Sequence, residues 1–126
     1  MPKKKLAPAW GTTERYRLIE WLAFISSELH KNFGPLFNPA MPEDIKDFYR
    51  SRVLDRFQWM DGQLDGKAYV MGDTYTVADA YLFVVANWSK HVSVALSDFE
   101  NLQAVIGRVA ARASVQEALK IEGLRV

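Results

Sequence analysis

The chain has no cysteine. That removes disulfides, thiolate nucleophiles and sulfur-ligated metal sites together, and it agrees with a reducing, cytoplasmic setting. Histidine is scarce as well. His30 and His91 stand 61 residues apart, a poor set for a metal ion, so none is expected. Charge of one sign is also lacking: the net value is +1, and Lys and Arg are spread among nearly as many acids. No stripe for nucleic acid and no pull towards a membrane surface follow from such a balance. Long apolar runs are missing too; the longest, around Ala80 to Ala86, falls short of the roughly 20 residues that span a bilayer. The lysines of Met-Pro-Lys-Lys-Lys precede no apolar stretch, so the start reads as a solvated basic tail and not as a signal peptide.

What is present suits one soluble domain. Of 126 residues 49% are hydrophobic and 25% charged, and a chain of this length buries about two-thirds of its unfolded surface. No alternating stretch between hairpin turns appears, so the pattern predicts helices throughout.

The first helix is predicted from Thr13 to Lys31, after a loop with Pro8 and Gly11. Leu18, Leu22, Ile25 and Leu29 fall on one face, with Trp21, Phe24 and Glu28 as a second stripe beside it. "FGPLFNPAMPED" follows, where Pro35, Pro39 and Pro42 forbid a continuous helix while Phe33, Leu36, Phe37 and Met41 pack the loop down. Pro42 with Glu43 and Asp44 marks a second helix start, running to Leu64 with Val53, Phe57, Met60 and Leu64 inward. A third helix starts at Thr76 and ends between His91 and Val94. It is apolar nearly all round, which predicts the central, most buried element. A fourth is predicted over Asp98–Ala111 and a fifth over Val115–Ile121. The fold class is all-α, a compact bundle of about five helices with one long packed loop.

Thr76-Val-Ala-Asp79 has the spacing of a capping box, in which hydroxyl and carboxylate each serve a backbone N–H of the helix start. Ser97-x-x-Glu100 and Ser114-x-x-Glu117 repeat the pattern before two further helical runs. A catalytic Asp79 would need a partner. The nearest histidine, His91, lies roughly 18 Å away at the far end of the same helix, so the carboxylate reads as structural.

At "TVADAYLF", preceded by "YVMGDTY" and followed by "NWSKH", the sequence resembles the C-terminal domain of glutathione transferases, in which a Ser/Thr-x-x-Asp box opens the central buried helix. "RYRLIEWLAFISSELHKNFGPLF" resembles the first helix of that domain in the bacterial beta class, with Glu-Leu-His-Lys before a Pro-Leu-Phe loop. "LAPAWGTTERYR" is similar to the end of the interdomain linker, and "VQEALKIEGL" to the closing helix. The resemblance runs from Leu6 to Leu124 in order. It divides the chain into residues 1–11, a basic tail and linker remnant, and residues 12–126, the helical domain.

The resemblance implies a short set of site residues. His30 matches the histidine placed near the glutathione sulfur; read alone, it is a helix-end cation favoured by the dipole. Lys31 matches the neighbouring lysine, and Glu28 an acid that reaches towards glutathione across a dimer interface. Phe33 and Trp88 match the hydrophobic substrate pocket, although aromatics at helical spacing are more often core. Ala23 stands where the beta class often has an asparagine for glutathione, and Ala113 where a proline is common.

Family members place a thioredoxin-like domain first, with most of the glutathione surface and, in the beta class, a cysteine beside the sulfur. The resemblance therefore implies a domain that contributes the wall of the electrophile site. Glutathione is the family co-substrate and no cofactor is held by the isolated chain. Alone the chain is expected to be inactive or nearly so, unless it meets a separate thioredoxin-like domain. The alternative is a non-catalytic module for protein–protein interaction. Either way, a cytoplasmic homodimer without nucleic-acid or membrane partners is expected.

Overall fold

Thr12 opens the first helix, α1 (Thr13–Phe24), by accepting from the Arg15 amide at 3.2 Å. The computed structural model describes residues 6–123; the basic tail Met1–Lys5 and residues 124–126 of the sequence reading lie outside the described residues.

The helix predicted to run unbroken to Lys31 changes its winding instead. A π-helical stretch, Ile25–His30, follows α1, then a short α2 (Lys31–Phe33) and a 3₁₀ turn, Gly34–Phe37. The Lys31 amide reaches Ser26 O, five residues back. Side chains explain the wider turn. Ser27 Oγ donates to Ala23 O at 2.8 Å, the acceptor that its own amide would use in an α-helix. Asn32, buried, donates Nδ2 to Glu28 O at 2.7 Å. A four-residue apolar spacing carries no sign of this, because Ile25 and Leu29 remain on the inner face and both are fully buried.

The second long helix, α3 (Glu43–Gln63), starts after Pro42 with Glu43 and Asp44 in its first turn. Its predicted stripe is correct: Val53, Phe57, Met60 and Leu64 are all buried. Gly72, at φ 122°, closes the tight turn in which Tyr69 and Gly72 exchange amide hydrogen bonds of 2.8 and 3.0 Å. The central helix, α4 (Val77–Asn87), continues as a 3₁₀ turn, Trp88–His91. It packs on α1, the π stretch and α5 (Glu100–Ala110), and α6 (Ala113–Ile121) closes against α5. Each large side chain buried in this core contributes about 1.5–3 kcal/mol.

Two expectations about helix starts are corrected. Neither Ser97-x-x-Glu100 nor Ser114-x-x-Glu117 forms a box. Helix α5 begins at Glu100 without a local side-chain cap, and its Leu102 amide is met from α3, by Asp61 Oδ1 at 2.8 Å. Asn101 Nδ2 returns a bond to Asp61 O at 3.0 Å. Ser114 lies inside α6, two residues past its N-cap position at Arg112. Helix α4 is the most buried helix among the described residues, as its composition predicts, with Val77 and Val84 open to solvent on its outer side. Among the described residues the secondary structure is all-helical, apart from the isolated Tyr69–Gly72 bridge.

Candidate functional site

The Thr76–Asp79 box is present and fully buried, and it does more than its spacing foretells. Thr76 Oγ1 accepts from the Ala78 amide at 3.2 Å, and Asp79 Oδ2 accepts from the Thr76 amide at 2.9 Å. Asp79 Oδ1 accepts from Val70 N at 2.8 Å, so the carboxylate also anchors the loop before the helix. Burial pushes its pKa above the usual carboxylate range, against the hydrogen bonds from Val70 and Thr76. Arg112 lies over the Tyr75 ring at 3.9 Å nearby and lends a weaker opposing charge. All the acceptor capacity of Asp79 that the structure uses goes to backbone and cap, which is a structural role.

The chemically versatile residues gather at the end of the π stretch. His30 is exposed, and its Nδ1 lies 2.6 Å from the hydroxyl of Tyr81 on α4. Its ring stands edge-on to Trp88 at a centroid distance of 4.8 Å. Phe33 and Phe37 also contact Trp88 edge-on, at 5.8 and 6.1 Å. Phe33 is itself buried, Trp88 half-buried and Phe37 exposed, so the cluster runs from the core out to solvent. Lys31 follows His30, exposed at the start of α2.

Glu28 does not join this group. Residues two apart on a helix point to different sides, and Glu28 turns to α3, where Arg56 Nε lies 3.3 Å away. Phe24, Asp55 and Trp59 line the same 440 Å³ cleft. An adjoining cleft of 620 Å³ runs along Trp21, Phe24, Trp59 and Lys67. Both lie on the α1–α3 face, away from His30. The predicted set therefore divides, with His30, Phe33 and Trp88 brought together and Glu28 placed elsewhere. Ala23 is exposed on α1, and its methyl offers no polar contact.

Tyr81 was not singled out from the sequence, and Phe37, expected to pack the loop down, is instead 48% exposed and reaches Trp88 from the solvent side of the cluster. A signal for Tyr81 was present, since it precedes Trp88 by seven residues and so shares its helix face. Among the described residues no helix is long and apolar enough to cross a membrane, and no three His, Cys, Asp or Glu side chains gather as metal ligands.

Comparison with known proteins places this arrangement. The family model "Glutathione S-transferase, C-terminal domain" matches residues 24–113. Glutathione S-transferase GstA of Escherichia coli O157:H7 is 38% identical over 125 residues, which is 99% of this chain and 62% of that protein. Among solved structures, the ternary complex of the bacterial transferase BphK superimposes with a TM-score of 0.94 at 51% identity, over 98% of this chain and 62% of that one. The bacterial beta-class enzyme of Sphingomonas chungbukensis does so at 0.92 and 44%, with the same coverage. The chain thus spans about three-fifths of the length of the relatives it matches, and it belongs to the glutathione S-transferase family by its C-terminal, helical domain.

Proposed function

We propose that residues 12–126 form the electrophile-side half of a cytoplasmic, beta-class-like glutathione transferase, with residues 1–11 on the linker side. Glutathione is held with a thioredoxin-like domain, and this chain contributes the apolar wall of Trp88, Phe33 and Phe37 together with His30. In the reaction the glutathione thiolate attacks an electrophilic carbon, a carbon–sulfur bond forms, and the leaving group departs with its electron pair. A donor aimed at the sulfur favours the thiolate, which is the role assigned to His30. Lys31 adds positive charge beside it. Glu28, paired with Arg56, belongs to the α1–α3 face, where it meets the ligand or the partner subunit of a homodimer.

The observation that carries this reading is the exposed His30 seated against Trp88 at 4.8 Å, an ionisable group at the edge of an aromatic wall. Purified chain with glutathione and 1-chloro-2,4-dinitrobenzene is expected to show no rate above background. A fusion carrying the thioredoxin-like domain of a beta-class relative at its N-terminus is expected to turn over, and to lose at least about tenfold on His30→Ala. Turnover by the chain alone would overturn the division of labour, and a fusion that binds no glutathione would overturn the reading itself.

The alternative, a non-catalytic interaction and dimerisation module, is favoured by a row of apolar side chains along the outside of α3. Ile45, Phe48 and Trp59 are 40%, 57% and 50% exposed, and such a patch finds a partner. A homodimer through α1 and α3 belongs to both readings.

A further inference from the structure

We propose that Tyr81 is a positioning residue for His30. Its hydroxyl donates to Nδ1 and so holds the neutral imidazole with its hydrogen on Nε2, as an outward donor to an anionic acceptor such as a thiolate or carboxylate. The distance is the first argument. At 2.6 Å the contact is a short hydrogen bond, below the roughly 2.7–3.2 Å usual for an N–H donor to oxygen. The relative chemistry is the second, since a phenol is the better donor and an unprotonated imidazole nitrogen the better acceptor. Among the described residues Tyr81 has no other hydrogen-bond partner for its hydroxyl, and Nε2 of His30 has none at all.

The same bond fixes the ring. Turning the imidazole over would present carbon in place of Nδ1 to the hydroxyl, and Trp88 also packs edge-on against the ring at a centroid distance of 4.8 Å. The backbone cooperates, because the π stretch ends at His30 and the α4 turn brings Tyr81 beneath it. The nitrogen that faces a ligand is then chosen by a residue that does not touch it, as with histidines whose second nitrogen is held by a protein acceptor or donor. That the acceptor is the glutathione sulfur rests on the proposed function; the tautomer does not.

The tautomer is read directly in a long-range ¹H–¹⁵N correlation spectrum of the ¹⁵N-labelled chain, at a pH well above the usual imidazole range. His30 is expected to show Nε2 protonated and Nδ1 bare as a single form. His91, the second histidine of the sequence, is the internal reference. In Tyr81→Phe, which keeps the ring and removes the hydroxyl, the two His30 nitrogen signals are expected to move towards each other as the tautomers mix, while His91 stays unchanged. Wild-type His30 protonated at Nδ1 would overturn the proposal. So would signals unmoved in a Tyr81→Phe chain whose circular dichroism is that of the wild type. The spectrum needs no ligand, so a later titration of the fusion carrying the thioredoxin-like domain, in which glutathione binds but leaves the His30 signals unmoved, would count against the proposed function alone.

Discussion

The Asp79 carboxylate on the central helix accepts the amide of Val70, from the preceding loop, at 2.8 Å. With its other oxygen it holds the Thr76 amide at 2.9 Å, so one buried side chain ties the start of α4 to a segment that no helix pattern would connect with it.

Asp79→Asn is expected to destabilise the chain by about 1–3 kcal/mol, because an asparagine offers one acceptor oxygen where two amides need one each. Denaturant midpoints give the value. The pH dependence has a definite sign. Burial raises the folded-state pKa of Asp79, so the folded chain holds this proton more tightly than the unfolded one. The stabilisation that follows is complete below the unfolded value of about 3.9 and is lost as pH rises through the folded one. Asparagine does not titrate there. The stability gap between wild type and Asp79→Asn is therefore expected to be widest at the acid end and to narrow towards neutrality; a gap that widens with pH would refute the assignment.

Ser97 and Asp61 distinguish a local cap from a tertiary one. The spacing of Ser97 and Glu100 mimics a capping box, yet α5 receives its acceptor from Asp61 on α3, 2.8 Å from the Leu102 amide. Asp61→Ala is expected to cost about 1 kcal/mol, whereas Ser97→Ala, on an exposed side chain, should leave the thermal midpoint in place. Equal losses from the two variants would restore the local box.

The pattern of success in reading the sequence follows from this contrast. Apolar spacing identified Val53, Phe57, Met60 and Leu64 because burial on a helix is a local, periodic property. It missed the π stretch, since that depends on Ser27 and Asn32 side chains reaching carbonyls. The Thr76–Asp79 box was legible as a cap, but its bond to Val70 was not, and neither was the Asp61 cap, because both partners are set by tertiary packing. The candidate site was legible in the same measure. His30 and Trp88 meet, and Tyr81, which completes the pair of contacts on the imidazole, lay within the quoted motif as the first residue of an apolar run, with the helix face it shares with Trp88 as its one signal. Glu28 departs for Arg56 because two residues along a helix turn a side chain to another face.

Trp59 tests the assembly common to both functional readings. It is half exposed on α3 and packs on Phe24 of α1 at a centroid distance of 4.8 Å, with Trp21 behind at 5.9 Å. An aromatic of that size at the rim of two adjoining clefts suits the centre of an α1–α3 interface, where truncation of such anchors costs most. The chain is expected to sediment as a dimer at tens of micromolar. Trp59→Lys should sediment as a monomer, because the ammonium would have to be desolvated in the interface without a partner. The substituted position is open to solvent in the monomer, so helix content by circular dichroism should be unchanged. A wild-type monomer, or a Trp59→Lys chain that still dimerises, would move the interface elsewhere and leave the α1–α3 clefts to a different occupant.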